Sequence, residues 1–118
     1  METEELYLNI INNLRDGIYF VDMERRILFW NKAAEQITGY SAEEIVGKQC
    51  QYSKLNHIDE LGRPLCMIGC PLFATLGDGQ QRQDRVFVRH KRGSRIPIHV
   101  NISPIRTDAE ITAAVEIF

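Results

Sequence analysis

The chain has 118 residues, 44% of them hydrophobic and 25% charged, with a formal net charge of −2. That length is one domain around a single core, and the near-neutral balance gives no long-range pull toward nucleic acid or an anionic membrane surface. No segment approaches the roughly 20 apolar residues of a membrane span. The acidic start at Glu2, Glu4 and Glu5 is not the basic-then-apolar order of a secretory signal. An odd count of three cysteines fits poorly with a secreted disulfide framework, so a cytoplasmic setting is expected.

Leu6, Ile10 and Leu14, with Ile11 beside them, recur at helical spacing and predict an amphipathic helix over residues 3–14, with Thr3 as its N-cap. So short a helix needs a neighbour for its apolar face. Two are open: the outer face of its own sheet, or a second subunit. Asp16-Gly17 turns into a short strand, Ile18-Tyr19-Phe20-Val21. The polar residues 22–25 lead to a second, Ile27-Leu28-Phe29-Trp30, and the two read as a hairpin. Asn31 then caps a helix carrying Ala33, Ala34 and Ile37, stopped by Gly39. Ser41 followed by Glu44 is a capping box for a further short helix ending near Gly47.

Residues 48–70 are irregular, broken by Gly62, Pro64 and Gly69. Pro71 suits the first position of a helix running to Leu76. Strands are expected over residues 85–90 and 95–102, the latter with Ile96, Ile98, Val100 and Ile102 alternating, Pro104 breaking it, and a last strand over residues 111–118. Two strands before the helices and three after them assemble into one five-stranded antiparallel sheet. Short helices cover one face, with the amphipathic helix at the N-terminus, an α+β layer. Ending on a strand, the chain reads as a piece of something longer.

Every cysteine falls in one window with a histidine, as Cys50-x6-His57-x8-Cys66-x3-Cys70. Thiolate and imidazole are the ligands of Zn or of an iron–sulfur cluster, and the breakers around them let the loop fold back on itself. Three other readings stand beside that one. The cysteines pack as small hydrophobes, Cys66 and Cys70 pair under oxidation, or His57 hydrogen-bonds locally while Asp59 shapes a turn. No oxyanion loop accompanies them, so no enzymatic use is expected. His90 and His99 lie on predicted strands and read as surface histidines. Arg85, Arg89, Lys91, Arg92 and Arg95 make a basic hairpin, a solvated turn or a dock for an acidic partner face.

The order of elements resembles a PAS domain over essentially the whole chain. The resemblance rests on Leu14-Arg15-Asp16-Gly17-Ile18, on residues 27–34 (Ile27-Leu28-Phe29-Trp30-Asn31-Lys32-Ala33-Ala34), on Thr38-Gly39-Tyr40 with the Ser41–Gly47 run, and on His90-Lys91-Arg92-Gly93-Ser94 continuing to Ile98. One departure is Met23-Glu24-Arg25-Arg26, where the family's first hairpin carries Gly. Cys50, His57-Ile58-Asp59, Gly62, Leu65-Cys66 and Gly69-Cys70-Pro71-Leu72 are similar to a PAS subset placed before diguanylate cyclase (GGDEF) or histidine kinase domains.

The resemblance implies a sensory input module over residues 15–118, preceded by a dimerisation helix over 1–14. Its effector would be a separate domain of the same polypeptide, and the likeness implies no catalysis in this chain. It places Ile98, Val100, Ile102 and Glu116 beside the ligand cavity, with Glu116 binding a polar ligand group or pairing with an inward arginine; the residues themselves also read as an apolar core face and an edge-exposed glutamate. Residues 47–52 also look like the cysteine helix of light-sensing PAS modules, with Cys50 at the adduct-forming thiol. Gln49 and Gln51 replace that helix's Asn and Arg, and Ile98 and Glu116 replace a flavin-contacting Asn and Gln. A non-sensing dimerisation module and a flavin photosensor are the alternatives.

Overall fold

The computed structural model describes residues 2–50, 55–65 and 69–118. Along the chain run α1 (Thr3–Asn13), β1 (Ile18–Asp22), β2 (Ile27–Trp30), α2 (Lys32–Thr38), α3 (Ala42–Ile45), α4 (Pro71–Asp78), β3 (Arg82–Arg89), β4 (Arg95–Thr107) and β5 (Glu110–Ile117). The strands form the expected five-stranded antiparallel sheet, in the order β2-β1-β5-β4-β3. Alternation puts Tyr19, Val21, Val86, Val88, Ile98, Val100, Ile102 and Ala114 on one face, where they pack with Ala34, Ile45, Leu55, Leu65, Leu72 and Leu76 in a single core.

Local chemistry explains the joints. The Asn31 side chain, fully buried, accepts from the backbone N–H groups of Ala34 (3.0 Å) and Ile18 (2.9 Å) and donates to the carbonyls of Ile11 and Asp16 (3.0 Å each). One residue thus caps α2, fixes the start of β1 and ties α1 to both. Ser41 and Glu44 form the predicted capping box on α3, and Glu44 also takes Lys91 Nζ at 2.8 Å. At the first hairpin Arg25 occupies the left-handed region (φ 64°), and Asp22 Oδ1 accepts from the N–H groups of Glu24 and Arg26. An arginine therefore adopts the backbone that the family's glycine supplies, held by that Asp22 turn.

Several boundaries differ from expectation, and β3 begins at Arg82, three residues before the expected start. The residue preceding α1 is Glu2, with no side-chain cap, and Thr3 is already helical. α4 passes through Gly77 and ends on a left-handed Gly79 (φ 72°). β4 continues through Pro104. β3 pairs with β4 only up to Ile102, and β5 pairs with it only from Asn101 onward. Pro97 and Pro104 thus each sit where β4 has a neighbour on one side only, and a missing N–H on the other side forfeits no ladder bond.

α1 buries none of its residues; Leu6, Tyr7, Leu8, Ile10 and Leu14 are exposed, and its packing neighbour is α2. Its apolar stripe does not lie on the sheet. Among the described residues no helix is long and apolar enough to cross a membrane.

Candidate functional site

The segment between α3 and α4 is anchored at the free edge of β3. Ile58 and Phe87 exchange backbone hydrogen bonds (3.0 and 2.9 Å), and Arg89 N–H donates to the Leu55 carbonyl at 2.9 Å. Asp59 Oδ1 accepts from the N–H groups of Leu61 and Arg63, and Leu65 N–H returns to the His57 carbonyl at 3.1 Å. That small turn, shaped by Asp59 as its residue type suggests, aims the His57 side chain inward, where it is 15% exposed. Arg95 clamps the same segment through the Asn56 carbonyl at 2.7 Å. With Lys91 held by Glu44, two cations of the basic hairpin serve the fold itself.

His57 meets a pocket lined by Tyr19, Cys50, Leu65, Cys70, Pro71, Leu72, Val86, Val100 and Glu116. Its free volume is about 10 Å³, the scale of one water molecule. Glu116 enters from β5, between Tyr19 on β1 and Ile102 on β4. It is 4% exposed, and among the described residues its Oε2 has no hydrogen-bond partner. His57 Nε2 lies 3.8 Å from that oxygen, beyond hydrogen-bond length. Burial pushes the Glu116 carboxyl up to about 7, partly offset by a hydrogen bond from Tyr19, and burial lowers His57 to about 4. Burial also raises the Tyr19 hydroxyl well above its ordinary value, with Glu116 adding to the effect. The result is a partly enclosed pocket with apolar walls and one polar corner.

Three of the four residues predicted as metal ligands, Cys50, His57 and Cys70, line this one pocket; Cys66 lies outside the described residues. Among those described, no group of three His, Cys, Asp or Glu side chains is arranged to hold a metal ion. Of the residues expected beside the cavity, Val100 and Glu116 line it, while Ile98 and Ile102 share their face in the core. Glu116 is buried, which corrects the reading of it as an edge-exposed glutamate, and among the described residues the side chain facing it is His57 and not an arginine. Tyr19 was missed. It sits opposite Glu116 in the β1–β5 register, which the sequence does not show. His99 is exposed beside Gln83, and the His90 ring accepts from Arg92 N–H at 3.0 Å, so both behave as surface histidines.

A family model for the PAS domain matches residues 15–118. None of the curated proteins matches the chain. Among solved structures, the PAS domain of a protein from Colwellia psychrerythraea is similar at 20% identity, with 98% of this chain and 94% of that chain covered and a TM-score of 0.79. The PAS domain of nitrogen regulation protein NR(II) from Vibrio parahaemolyticus is similar at 25% identity over 96% of both chains, TM-score 0.71. The light-state dimer of the fungal blue-light photoreceptor Vivid shares 16% identity over 99% of this chain and 93% of that one, TM-score 0.72. The family model spans the sheet, helices α2 to α4 and the pocket, and by that match the chain belongs to the PAS domain family.

Proposed function

We propose that this chain is the sensory input domain of a bacterial-type, cytoplasmic signalling protein. In this reading the state of the pocket regulates a diguanylate cyclase or histidine kinase domain of the same polypeptide. The supporting observation is the buried Glu116 carboxyl, whose Oε2 finds no partner among the described residues. An orphaned buried acceptor is costly to keep in a merely structural core and is useful where something binds. Ligand, metal or redox occupancy then shifts a two-state packing of loop and sheet. β5 carries the shift, because Glu116 stands two residues from Phe118, whose ring packs on Tyr19 and Trp30.

In the metal form of this reading, Cys50, His57, Cys66 and Cys70 close on Zn or an iron–sulfur cluster, supported by the three that share the pocket. The flavin form has less support: Ile98 and Glu116 stand where the light-sensing likeness places a flavin-contacting Asn and Gln, and the pocket formed by the described residues has free space of about 10 Å³. The exposed stripe Leu6, Ile10 and Leu14 supports a homodimer through α1. A non-sensing module would use that interface alone.

Two measurements separate these readings. Anaerobic purification with elemental analysis and an absorption spectrum shows whether metal or cluster is present; a colourless, metal-free protein whose Cys→Ser variants keep full stability sinks the metal form. In the parent protein, Val100→Phe fills the pocket from β4 and is expected to hold effector output at one level. Output that responds as in the wild type refutes pocket sensing and leaves the dimerisation module.

A further inference from the structure

The shape and donor set of the pocket narrow what can occupy it. Among the described lining residues, the ionisable ones are Tyr19, Cys50, His57, Cys70 and Glu116, and none is Lys or Arg. Once ionised, a buried carboxyl oxygen with an open hydrogen-bond position and no cation beside it among the described residues selects a group that donates, and a charged donor bonds it about twice as strongly as a neutral one. The 3.8 Å gap between Glu116 Oε2 and His57 Nε2 lets one atom sit within about 2.8 Å of both, the length of a charge-assisted N–H···O bond. The free space near 10 Å³ takes one heavy atom of that group, so any substituent lies along the pocket wall toward its open side. Leu65, Leu72, Val86 and Val100 give it an apolar wall, which suits a short alkyl substituent and opposes a second polar end. Against the ionised Glu116, above pH 7, a carboxylate ligand would set acceptor against acceptor, and a quaternary ammonium has no N–H to give.

From this arrangement we propose that the pocket binds a small primary ammonium group, which donates to Glu116 Oε2 and His57 Nε2 while its alkyl side rests on Val100 and Leu65. The proposal deepens the reading of the pocket as the sensing site. Binding is measured on the isolated chain, so failure to bind an amine leaves pocket sensing with another ligand, and an effector indifferent to the pocket leaves the binding result intact.

The test is NMR titration of the isotopically labelled chain at constant ionic strength with methylammonium chloride, using tetramethylammonium chloride and sodium formate as controls. The expected result is saturable shifts at the amides of Tyr19, Leu65 and Glu116 with methylammonium alone, and an affinity weaker by about tenfold or more in Glu116→Gln, the loss of one charge-assisted bond. Equal shifts with tetramethylammonium, or equal affinity in Glu116→Gln, overturn the proposal. Should that variant not fold, intermolecular NOEs in the wild type decide. Contacts from the methyl protons of methylammonium to the Val100 and Leu65 methyls support the site, and their absence at saturating ligand overturns it.

Discussion

Replacing Glu116 by Gln should change the pH dependence of stability more than stability itself. Burial raises the Glu116 carboxyl from 4.5 to about 7 and lowers His57 from 6.5 to about 4. Each shift corresponds to about 3 kcal/mol at roughly 1.4 kcal/mol per pH unit. Folded Glu116 keeps its proton until pH 7 while the unfolded chain releases it near 4.5. Its stabilising effect is therefore complete at low pH and is lost as pH rises from 4.5 to 7. Folded His57 refuses a proton until pH 4 while the unfolded chain takes one near 6.5. Its effect is complete above 6.5 and is lost as pH falls toward 4.

The two slopes oppose each other across the shared window from 4.5 to 6.5. Folded and unfolded chains each hold one proton on this pair there, so the pair leaves stability flat. Glu116→Gln removes the Glu116 slope, and stability relative to wild type should rise with pH by about 3 kcal/mol across the Glu116 window, from 4.5 to about 7. His57→Gln should do the reverse, with relative stability falling by about 3 kcal/mol as pH rises across the His57 window, from about 4 to 6.5. Urea unfolding at several pH values measures this. Taking variant minus wild type cancels the surface carboxylates, such as Glu44, which Lys91 holds near 2. Difference profiles that are flat, or that slope the same way in both variants, refute the reasoning.

Asn31→Ala removes four hydrogen bonds at a fully buried position and should cost about 3 kcal/mol or more in urea unfolding, since the groups left behind are largely enclosed; a loss under about 1 kcal/mol contradicts the role given to it. Ala109→Gly should stabilise by about 1 kcal/mol, because Ala109 holds φ 70° in the two-residue β4–β5 turn and glycine removes that strain; a lower thermal midpoint counts against it. Ser41→Ala should lose about 1 kcal/mol with the capping box of α3, read as a shift in urea midpoint at unchanged slope. Deleting residues 1–14 should halve the molar mass by light scattering, given the exposed stripe of α1; an unchanged mass removes the dimer interface from that helix.

Much of the architecture was legible because its determinants are local. Alternating side chains fixed the faces of β4, a hydroxyl and a carboxylate three residues apart capped α3, and Asn31 announced α2. β4 ran past Pro104 because what a proline costs in a strand depends on which neighbour flanks it, and that is a property of the sheet. Arg25 stood in for a glycine because an Asp22 turn held it, which spacing does not reveal.

The candidate site divides in the same way. The sequence by itself marked Cys50, His57 and Cys70 as a cluster and Glu116 as an oddity in an apolar strand. Only the tertiary structure joined them. Glu116 follows His57 by 59 positions, and they face each other because the Asp59 turn and the Ile58–Phe87 bonds hold one segment on β3 while the β1–β5 register turns the other inward beside Tyr19. Residue type and short-range spacing determine which groups a chain carries and how each segment curls. Strand order, register and the packing of a loop on a sheet edge decide which of those groups share a dielectric and a distance, and the chemistry of the pocket depends on both.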